Sequence, residues 1–596
     1  MIVNMKVIHN FNEKLRLAKN VEGEKSFLLT NKLGGYLWWN DETTSRYQGW
    51  FFSPANLVGQ KAYRLVENIE IENGSPLEEI RNNFWCCEQK KGKIIEKFFL
   101  PSFLDAFVYE ISEKVNLTIV LDVKESYNNQ TDNRYYEISY ESGLTLVKYS
   151  QPGIDATEIW LAIKSDNRET ELIKKWILRE YTFDKKRNSP PFERYVFSAL
   201  KLIAAQQIIF AAATDKQKAI SQVNYVANNL KSLEKKEQKE VKKLSPFFNE
   251  PGLKDPEIKM AYLCAKNSLK GLLVLNENKK PRMLYAGLPW FFQSWQRDTA
   301  LSLKALSFIK KNCAQTIFEA MLIAIIKGEK NDSSVDGWGW LFKRAENFSF
   351  RRKFLLAAIE EFFKNGQVNP NTNYFAHHPQ STWMDTIERT PYSIEIQALL
   401  LNAFRLASTY YEFWRKKFFY DSQEKEKREH MKENFWDGEI LADGLFDNRT
   451  PDKTVRPNVF LAALAYPKLL TKAEWQQGLA NILPRLWLEW GGLATLDLQS
   501  GNFQAEHTGE LAFSYHQGDS WFFINNLAAL MLTKTNKKKF WPYIEKILAA
   551  STTDILWQGM VGHHSELSSA INLRAEGCLC QAWSNAFYIE LIRELF

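Results

Sequence analysis

Two acidic segments far apart in the chain carry the residue types needed to cleave an acetal bond. Asp385 lies in STWMDTIERTPYSIEI and Glu566 in GHHSELSSAINLRAEGCLCQAWS, and tryptophans lie near both. Cleavage of a glycosidic bond takes one carboxylic acid that protonates the leaving oxygen and one carboxylate on the opposite face of the sugar. The apolar Trp383 and Met384 before Asp385 favour a raised pKa and a protonated acid. We therefore assign Asp385 and Glu566 as the candidate catalytic pair.

Charged residues also stand beside tryptophans ahead of several predicted helices. In a sugar subsite, charged groups bind the hydroxyls while an aromatic ring backs the pyranose. The candidate substrate-binding residues are Trp290, Trp295, Arg297, Asp298, Asp336, Trp340, Trp383, Glu395, His516 and Trp521. Plainer explanations exist for two of them, because Asp298 is also a typical helix cap and Glu395 also suits a helix N-terminus. Glu388 and Glu395 are the next candidates should the catalytic pair be wrong.

Residues from about 24 to 225 contain short runs rich in β-branched and aromatic residues, bounded by Gly, Asn, Asp or Ser. Examples are KSFLLTN, AYRLVENIEIENG, KIIEKFFLPSF and ATEIWLAIKS. This spacing predicts an antiparallel β-sandwich over residues 1–225. The pattern then becomes polar and helical, and we expect residues 226–250 to form a helical linker.

After Pro251 the apolar residues recur with a helical period almost to Phe596, in segments such as DTALSLKALSFIKK and SIEIQALLLNAFRLASTYYEFW. Roughly a dozen helices separated by Trp- and Gly-rich loops predict an all-α (α/α)6 toroid over residues 251–596. Loops at one end of such a ring build a pocket. An irregular helical bundle or a solenoid has the same period, although no repeat of fixed length is present.

The composition is that of a globular protein, with 45% hydrophobic and 25% charged residues. The 20 Trp, 23 Tyr and 40 Phe are a heavy aromatic load; such rings fill cores and also suit sugar faces. The net charge of +7 comes largely from runs such as KSLEKKEQKEVKK and KTNKKK, which we interpret as solvated helix faces. No long apolar run or signal-peptide pattern is present, so we expect a cytoplasmic protein with no nucleic-acid or membrane partner.

The six cysteines form no paired CxxC ligand set, and we interpret them as reduced, mostly buried thiols. The histidine pairs His377/His378 and His563/His564 lack clustered carboxylates at ligand spacing. We therefore predict neither a metal nor a cofactor.

The chain resembles the glycogen-debranching enzymes, the amylo-α-1,6-glucosidases, over nearly its whole length. It carries the landmarks of their C-terminal domain in order: WxRDT, VDxxxW, TWMD, RPN, YHQG, SE and GCxxQAWS. The segment FLLTNKLGGYLWWNDETTSRYQGWFFSP at 27–54 resembles the family's N-terminal sandwich motif. In that motif, Arg46 and Tyr47 match residues to which we give a structural or interdomain role.

The resemblance implies a β-sandwich joined to an (α/α)6 toroid that hydrolyses α-1,6-linked glucosyl branch stubs with inversion. Asp385 of TWMD matches the general acid and Glu566 of SEL matches the general base. Residues that match the pocket for the terminal glucose are Arg297, Asp298, Asp336, Trp340, Glu395 and His516. The expected substrate is a branched α-glucan or an oligosaccharide derived from it.

Three motifs depart from the family pattern beside the acids. The chain has SWQRDT in place of DWGRDT, HQGDSWFF in place of HQGTVWPW, and SELSSA in place of an SEIFDG-like turn. A toroidal glycosidase acting on another α-linked disaccharide or glycoconjugate is thus an alternative, as is a non-catalytic glycan-binding protein. Retention of both acids argues against the binding protein. Because sandwich and toroid occupy all 596 residues, we expect a single activity without a glucanotransferase module.

Overall fold

The structure is a computed structural model that describes residues 4–23, 25–54, 61–245, 253–329, 334–365 and 374–596. The chain divides into two compact units. The N-terminal unit comprises Met1–Arg282, Gly287–Gln293 and Ile555–His563, and the C-terminal unit comprises Met283–Ala286, Ser294–Asp554 and His564–Phe596. The expected boundary between linker and toroid, at 250/251, lies outside the described residues. The domain limits drawn from the sequence therefore stay predictions.

The N-terminal unit is built from one continuous ladder of long strands. The strands are β1 (Asn4–Asn12), β2 (Leu15–Glu22), β3 (Ser26–Thr30), β4 (Tyr36–Asn40), β5 (Gly49–Phe52), β6 (Tyr63–Ile71), β7 (Glu79–Asn82), β8 (Cys87–Lys91), β9 (Ile94–Phe99), β10 (Ala106–Glu125), β11 (Tyr135–Glu141), β12 (Leu144–Gln151), β13 (Asp155–Ser165), β14 (Thr170–Glu180) and β15 (Glu193–Ala213). A short helix, α1 (Thr182–Lys186), precedes β15. The large β-structure predicted for this part of the chain is confirmed.

Two strands organise the sandwich, because each changes partners along its length. The first part of β10 pairs with β9, whereas its second part pairs with β6. In the same way, β15 pairs with β14 along its first half and with β13 along its second half. Pairing is antiparallel throughout these contacts, whereas β1 and β7 are parallel. Side chains from β3 to β6 share one buried core with Phe107 and Phe210 of the two long strands.

The helical segment expected from residue 226 begins earlier in the structure, as α2 (Lys216–Lys242) after the N-cap Asp215. Its apolar side carries Val223 and Val226, which pack with Val108 and Ile209 on the outer face of the sheet. Burial of that face holds α2 against the sheet.

The rest of the chain is helical, as predicted. The helices are α3 (Pro256–Leu272), α4 (Gln296–Ile326), α5 (Gly337–Arg344), α6 (Arg352–Asn365), α7 (Ile394–Tyr410), α8 (Trp414–Phe435), α9 (Asn458–Ala465), α10 (Lys472–Leu486), α11 (Phe522–Thr553) and α12 (Ala582–Leu595). Both α4 and α11 are interrupted, at Lys310 and Asn536, where the backbone leaves helical geometry. Each of these two therefore supplies two consecutive helical segments.

Six helices close into a ring. Contacts run from α4 to α5, from α5 to α7, from α7 to α9, from α9 to α11, from α11 to α12, and from α12 back to α4. Outer helices cover this ring: α6 packs on α4 and α7, α8 packs on α7, and α10 packs on α11. Along α7 nearly every residue from Ile394 to Ser408 is buried, as a position between two layers requires. The predicted (α/α)6 architecture is confirmed.

Two-residue strands precede most of the ring helices, where the sequence indicated only loops. In the C-terminal unit they include β16 (Tyr392–Ser393) before α7, β17 (Ser520–Trp521) before α11 and β20 (Cys580–Gln581) before α12. β17 pairs with β18 (Leu567–Ser568), which in turn pairs with β19 (Ala575–Glu576). This small sheet fixes the chain that follows Glu566 against the start of α11.

Candidate active site

The N-terminal ends of the ring helices meet at one end of the toroid. Gly337, which opens α5, approaches Gln296 of α4 so closely that a Cβ would crowd it. The guanidinium of Arg297 in α4 lies over the ring of Trp583 in α12, at 5.3 Å. Trp583 stacks on Phe523 of α11 at 4.1 Å between ring centroids. Residues at the starts of four consecutive ring helices are thus brought together.

The loop before α7 reaches the same end. Trp383 of this loop lies edge-on to Phe523 at the start of α11, with 5.1 Å between ring centroids. Its indole N–H donates a hydrogen bond of 2.7 Å to Oδ1 of Asn458, the first residue of α9. All six ring helices therefore contribute their N-terminal ends to the region that holds Asp385.

Glu566 is buried and held on both oxygens. The Tyr515 hydroxyl donates to Oε1 at 2.5 Å, and the backbone N–H of Cys578 donates to Oε2 at 2.8 Å. The Glu566 backbone is also fixed, since its carbonyl accepts from Phe522 N–H and its own N–H donates to the Cys578 carbonyl. Gly577 lies directly against the carboxylate, and a side chain there would collide with it. The group is rigidly oriented.

Burial raises the pKa of Glu566 to about 7, and the negative charges of Asp298 and Asp385 act in the same direction. The hydrogen bonds from Tyr515 and from the Cys578 N–H oppose this rise because they stabilise the carboxylate. Glu566 consequently ionises near neutral pH.

Asp385 differs from Glu566 in being exposed at the surface of the site. Protein atoms around it raise its pKa by desolvation, and the charge of Asp336 adds to this rise, while Arg297 opposes it. A carboxyl that faces solvent space and retains its proton more readily than usual is suited to protonate a bound group. The apolar surroundings predicted for it from Trp383 and Met384 are present, since both are buried.

Four of the predicted binding residues lie at the starts of α4 and α5. Arg297 and Asp298 are buried in the first turn of α4, where their side chains are 3.5 Å apart. Asp298 is not the residue that caps this helix, because the N-cap is Trp295. Asp336 precedes α5 and accepts a hydrogen bond of 3.4 Å from the indole of Trp340, which is buried in that helix.

Three further predicted residues form one aromatic cluster. His516 stacks on Trp521 at 5.1 Å, and Trp383 lies edge-on to both, at 5.3 Å and 5.5 Å. The Trp521 indole donates a hydrogen bond of 2.7 Å to the carbonyl of Tyr515. Because the hydroxyl of Tyr515 bonds Glu566, this contact links the cluster to Glu566. Burial lowers the pKa of His516 well below its usual value. His516 is thus a neutral ring that also bonds Thr386, next to Asp385, at 2.7 Å.

Glu395 lies deeper, in a network of buried charges. Both of its oxygens accept hydrogen bonds from the Arg389 guanidinium, which also contacts Asp443 at 2.9 Å. Asp443 in turn accepts from Asn458, the partner of Trp383. In this structure Glu395 therefore supports the loop that carries Asp385.

Two further predicted binding residues precede α4 in the chain. Trp290 belongs to the N-terminal unit, where Arg187 lies over its ring at 3.6 Å and Tyr47 packs beside it. Trp295 is half-buried as the N-cap of α4. Their predicted roles in substrate binding stay predictions.

The residue that the sequence prediction missed is Tyr515, although it is part of the quoted motif YHQG. A tyrosine next to a histidine gives no sign of its partner, which lies in another loop. Trp583 is buried in the last helix, where its ring packs beneath Arg297. Within the described ranges no group of three or more His, Cys, Asp or Glu side chains is placed to hold a metal. No helix among those same residues is long and apolar enough to cross a membrane.

Comparison with known proteins agrees with this geometry. Residues 349–590 match the family model of amylo-alpha-1,6-glucosidase. The matched range contains both Asp385 and Glu566. No curated protein sequence matches the chain.

Among solved structures, a bacterial glucoamylase in complex with acarbose matches with a TM-score of 0.60 at 10% identity, covering 99% of this chain and 97% of that one. A glycosidase variant in complex with glucose covers 58% of this chain and 99% of its own, with a TM-score of 0.41 and 12% identity. An uncharacterized conserved protein from Thermus thermophilus covers 55% and 98%, with a TM-score of 0.41 and 13% identity. The first likeness shows a shared fold. The match to the amylo-alpha-1,6-glucosidase family model covers the C-terminal helical part of the chain, and it identifies the protein as a glycoside hydrolase.

Proposed function

We propose that this protein is an inverting, exo-acting hydrolase that removes α-1,6-linked glucose from branched α-glucans or from oligosaccharides derived from them. The observation that carries the proposal is the pairing of two unlike carboxyls at one end of the helical ring. Asp385 is exposed in the site, whereas Glu566 is buried and oriented by two hydrogen-bond donors. The family match supports the choice of substrate.

In the proposed reaction Asp385 donates its proton to the glycosidic oxygen as the bond from that oxygen to C1 breaks. Glu566 accepts a proton from a water molecule whose oxygen attacks C1 from the opposite face, which inverts the anomeric configuration. The raised pKa of Asp385 favours the acid form that the first step needs. The two donors on Glu566 favour the carboxylate that the second step needs.

Residues around the pair supply what a buried sugar requires. Its hydroxyls need partners once water is removed. Arg297, Asp298 and Asp336 offer charged groups beside the pair, and their charges act on the pKa of Asp385 or Glu566. Trp383 and Trp521 pack edge-on to each other behind the loop residues that carry Asp385 and give this part of the site an apolar wall. The proposed selectivity rests on these charged groups, because a site built to bond hydroxyls strongly rejects sugars that lack them.

The test is product analysis with a panel of gluco-oligosaccharides that differ only in the position of an α-1,6 or α-1,4 linkage. We expect glucose as the released product, with release from α-1,6 branch stubs the fastest. Proton NMR during the first turnovers should show β-glucose, as inversion of an α-linkage requires. Release of internal oligosaccharides would contradict exo action, and initial α-glucose would contradict inversion. Activity on none of the panel would overturn the proposed substrate.

A second candidate is hydrolysis of another α-linked disaccharide or glycoconjugate by the same carboxyl pair. Asp519 favours this candidate. It is the first residue at which HQGDSWFF differs from the family pattern HQGTVWPW. Asp519 is buried and accepts from the His507 ring at 2.7 Å and from the Ser514 hydroxyl at 2.7 Å. This network shapes the loop that carries Tyr515 and His516. Adding α-linked disaccharides and glucosyl conjugates to the panel separates the two candidates.

A further inference from the structure

The outer helix α8 begins with a stretch in which every residue from 412 to 419 is exposed. The stretch reads EFWRKKFF. Its aromatic side chains are mostly open to solvent: Phe413 at 57%, Trp414 at 66%, Phe418 at 69% and Phe419 at 53%. The next residue, Tyr420, is buried and stacks on Tyr411 at 5.3 Å. The helix is therefore anchored from one side while its aromatic residues face outward.

Basic residues surround these rings. Arg415, Lys416 and Lys417 lie within the same stretch and are exposed. The start of α6 brings a second basic group, residues 351–353 (Arg, Arg, Lys), which are also exposed. Ion pairs join the two segments, from Arg352 to Glu412 at 2.6 Å and from Lys416 to Glu360 at 2.5 Å. We call residues 351–353 and 412–419 the aromatic-basic surface; it holds six basic side chains and one acidic side chain.

We propose that the aromatic-basic surface attaches the enzyme to an anionic lipid membrane. Exposed Trp and Phe side chains bordered by Lys and Arg are the composition of helices that lie in a membrane interface. The rings enter the boundary between headgroups and acyl chains, while the cations bind anionic headgroups. This is peripheral attachment at one helix end, and it revises the expectation from sequence that no membrane partner exists.

Other occupants fit the surface less well. A neutral glucan has no charge that could pair with the six basic side chains. A second copy of the chain would bring the same basic residues opposite themselves in a twofold contact. Four half-exposed rings offer roughly 500 Å² of aromatic surface, short of the roughly 800 Å² per partner of a stable interface. Single-stranded nucleic acid binds grooves in which bases stack between rings, whereas these rings stand on the outward side of a helix.

The experiment is co-sedimentation of the full-length enzyme with vesicles of phosphatidylcholine alone or with about a third phosphatidylglycerol. We expect binding to the anionic vesicles, several-fold weaker binding in 0.5 M salt as exposed charges are screened, and little binding to neutral vesicles. W414S/F418S and R415E/K417E should each lower the bound fraction at least tenfold. Matched controls are Tyr225→Ser, an aromatic residue exposed at 51% on α2, and Lys235→Glu on the same helix; both should bind normally.

Several outcomes would overturn the proposal. One is no sedimentation with anionic vesicles, and another is binding that the two double variants leave unchanged. Binding of a fluorescent single-stranded RNA without vesicle binding would assign the surface to nucleic acid. A dimer in analytical ultracentrifugation that W414S/F418S converts to monomer would assign it to a second copy. None of these readouts uses hydrolysis, so they stand apart from the proposed function.

Discussion

The hydroxyl of Tyr515 lies 2.5 Å from Oε1 of Glu566 and donates a hydrogen bond to it. The two residues come from different loops, one before α11 and the other before α12. This bond lowers the pKa of Glu566 against the effect of burial. Tyr515 thus positions the proposed base and favours its ionised form.

Tyr515→Phe should move the acid limb of the pH profile to higher pH. Without the donor, the pKa of Glu566 rises above its present value of about 7, so a smaller fraction is ionised at any given pH. We expect kcat/KM to fall by about tenfold at pH 6, since one pH unit changes an ionised fraction tenfold, and to recover above pH 8. Tyr225→Phe, on the surface of α2, is the control. An unchanged acid limb would contradict this role for Tyr515.

Asp385→Asn and Glu566→Gln should each lower turnover on oligosaccharides by roughly 10² to 10⁴, because each removes one proton transfer. Glucosyl fluoride separates the two roles, since fluoride leaves with little help from an acid. Asp385→Asn should regain activity on this substrate and Glu566→Gln should not. Glu388→Gln, an exposed neighbour in the same loop, is the matched control and should remain active. Identical behaviour of the two variants on the fluoride would contradict the assignment of acid and base.

Much of the fold could be predicted because it depends on local pattern. The run KSFLLTN is β3, AYRLVENIEIENG contains β6, and DTALSLKALSFIKK opens α4. What could not be predicted depends on tertiary contacts. The apolar segment that ends in YYEFW predicts a buried helix. Phe413 and Trp414 are nevertheless exposed, and the residue that packs against the rest of the protein there is Tyr420. The helix breaks occur at Lys310 and Asn536, which are neither proline nor glycine, so the sequence does not predict them.

The site shows the same division. Acids beside tryptophans could be found in the sequence, and the structure gathers most of them at the starts of the ring helices. The differences in burial between these acids could not be predicted from the sequence. Asp385 is exposed whereas Glu395, ten residues later, is buried against Arg389. Nothing in either residue type or spacing distinguishes the two, because the distinction comes from how the loop folds under α9.

Glu395→Gln provides a test of whether this residue supports the site or binds the sugar. Removing one partner of a buried ion pair costs up to about 3 to 5 kcal/mol, although Asp443 still compensates part of the Arg389 charge. We expect a loss of that order in the free energy of unfolding measured with urea. The control is Glu489→Gln in the exposed pair with Lys546, where the loss should stay within about 1 kcal/mol. A raised KM with unchanged stability would instead restore Glu395 as a binding residue.

Glu566→Gln should make the protein relatively more stable as pH rises. The folded-state pKa of Glu566, about 7, lies above its ordinary value of 4.5, so the folded state holds a proton that the unfolded state releases. The wild type therefore loses stability between pH 4.5 and 7, whereas glutamine does not titrate. The gain of the variant over wild type should grow by up to about 3 kcal/mol across this window. Urea unfolding at pH 4.5 and pH 8 measures it, and a pH-independent difference would contradict a raised pKa.

Asp298→Asn provides the last test, because its charge acts on Glu566 in the direction opposite to that of Tyr515. Asp298 raises the pKa of Glu566, so removing the charge should move the acid limb of kcat/KM to lower pH. Loss of a charged partner for a sugar hydroxyl should also lower kcat/KM at the optimum by about 10² or more.

The shift of the acid limb and the loss of kcat/KM distinguish a role of Asp298 in the site from a role in stabilising α4. Since the N-cap of α4 is Trp295, the variant removes no cap, and its unfolding free energy should change by less than the roughly 1 kcal/mol that losing a cap costs. Gln296→Ala, at the first position of the same helix, is the control for a change at this helix start. Normal turnover of Asp298→Asn with an unshifted acid limb would remove Asp298 from the site.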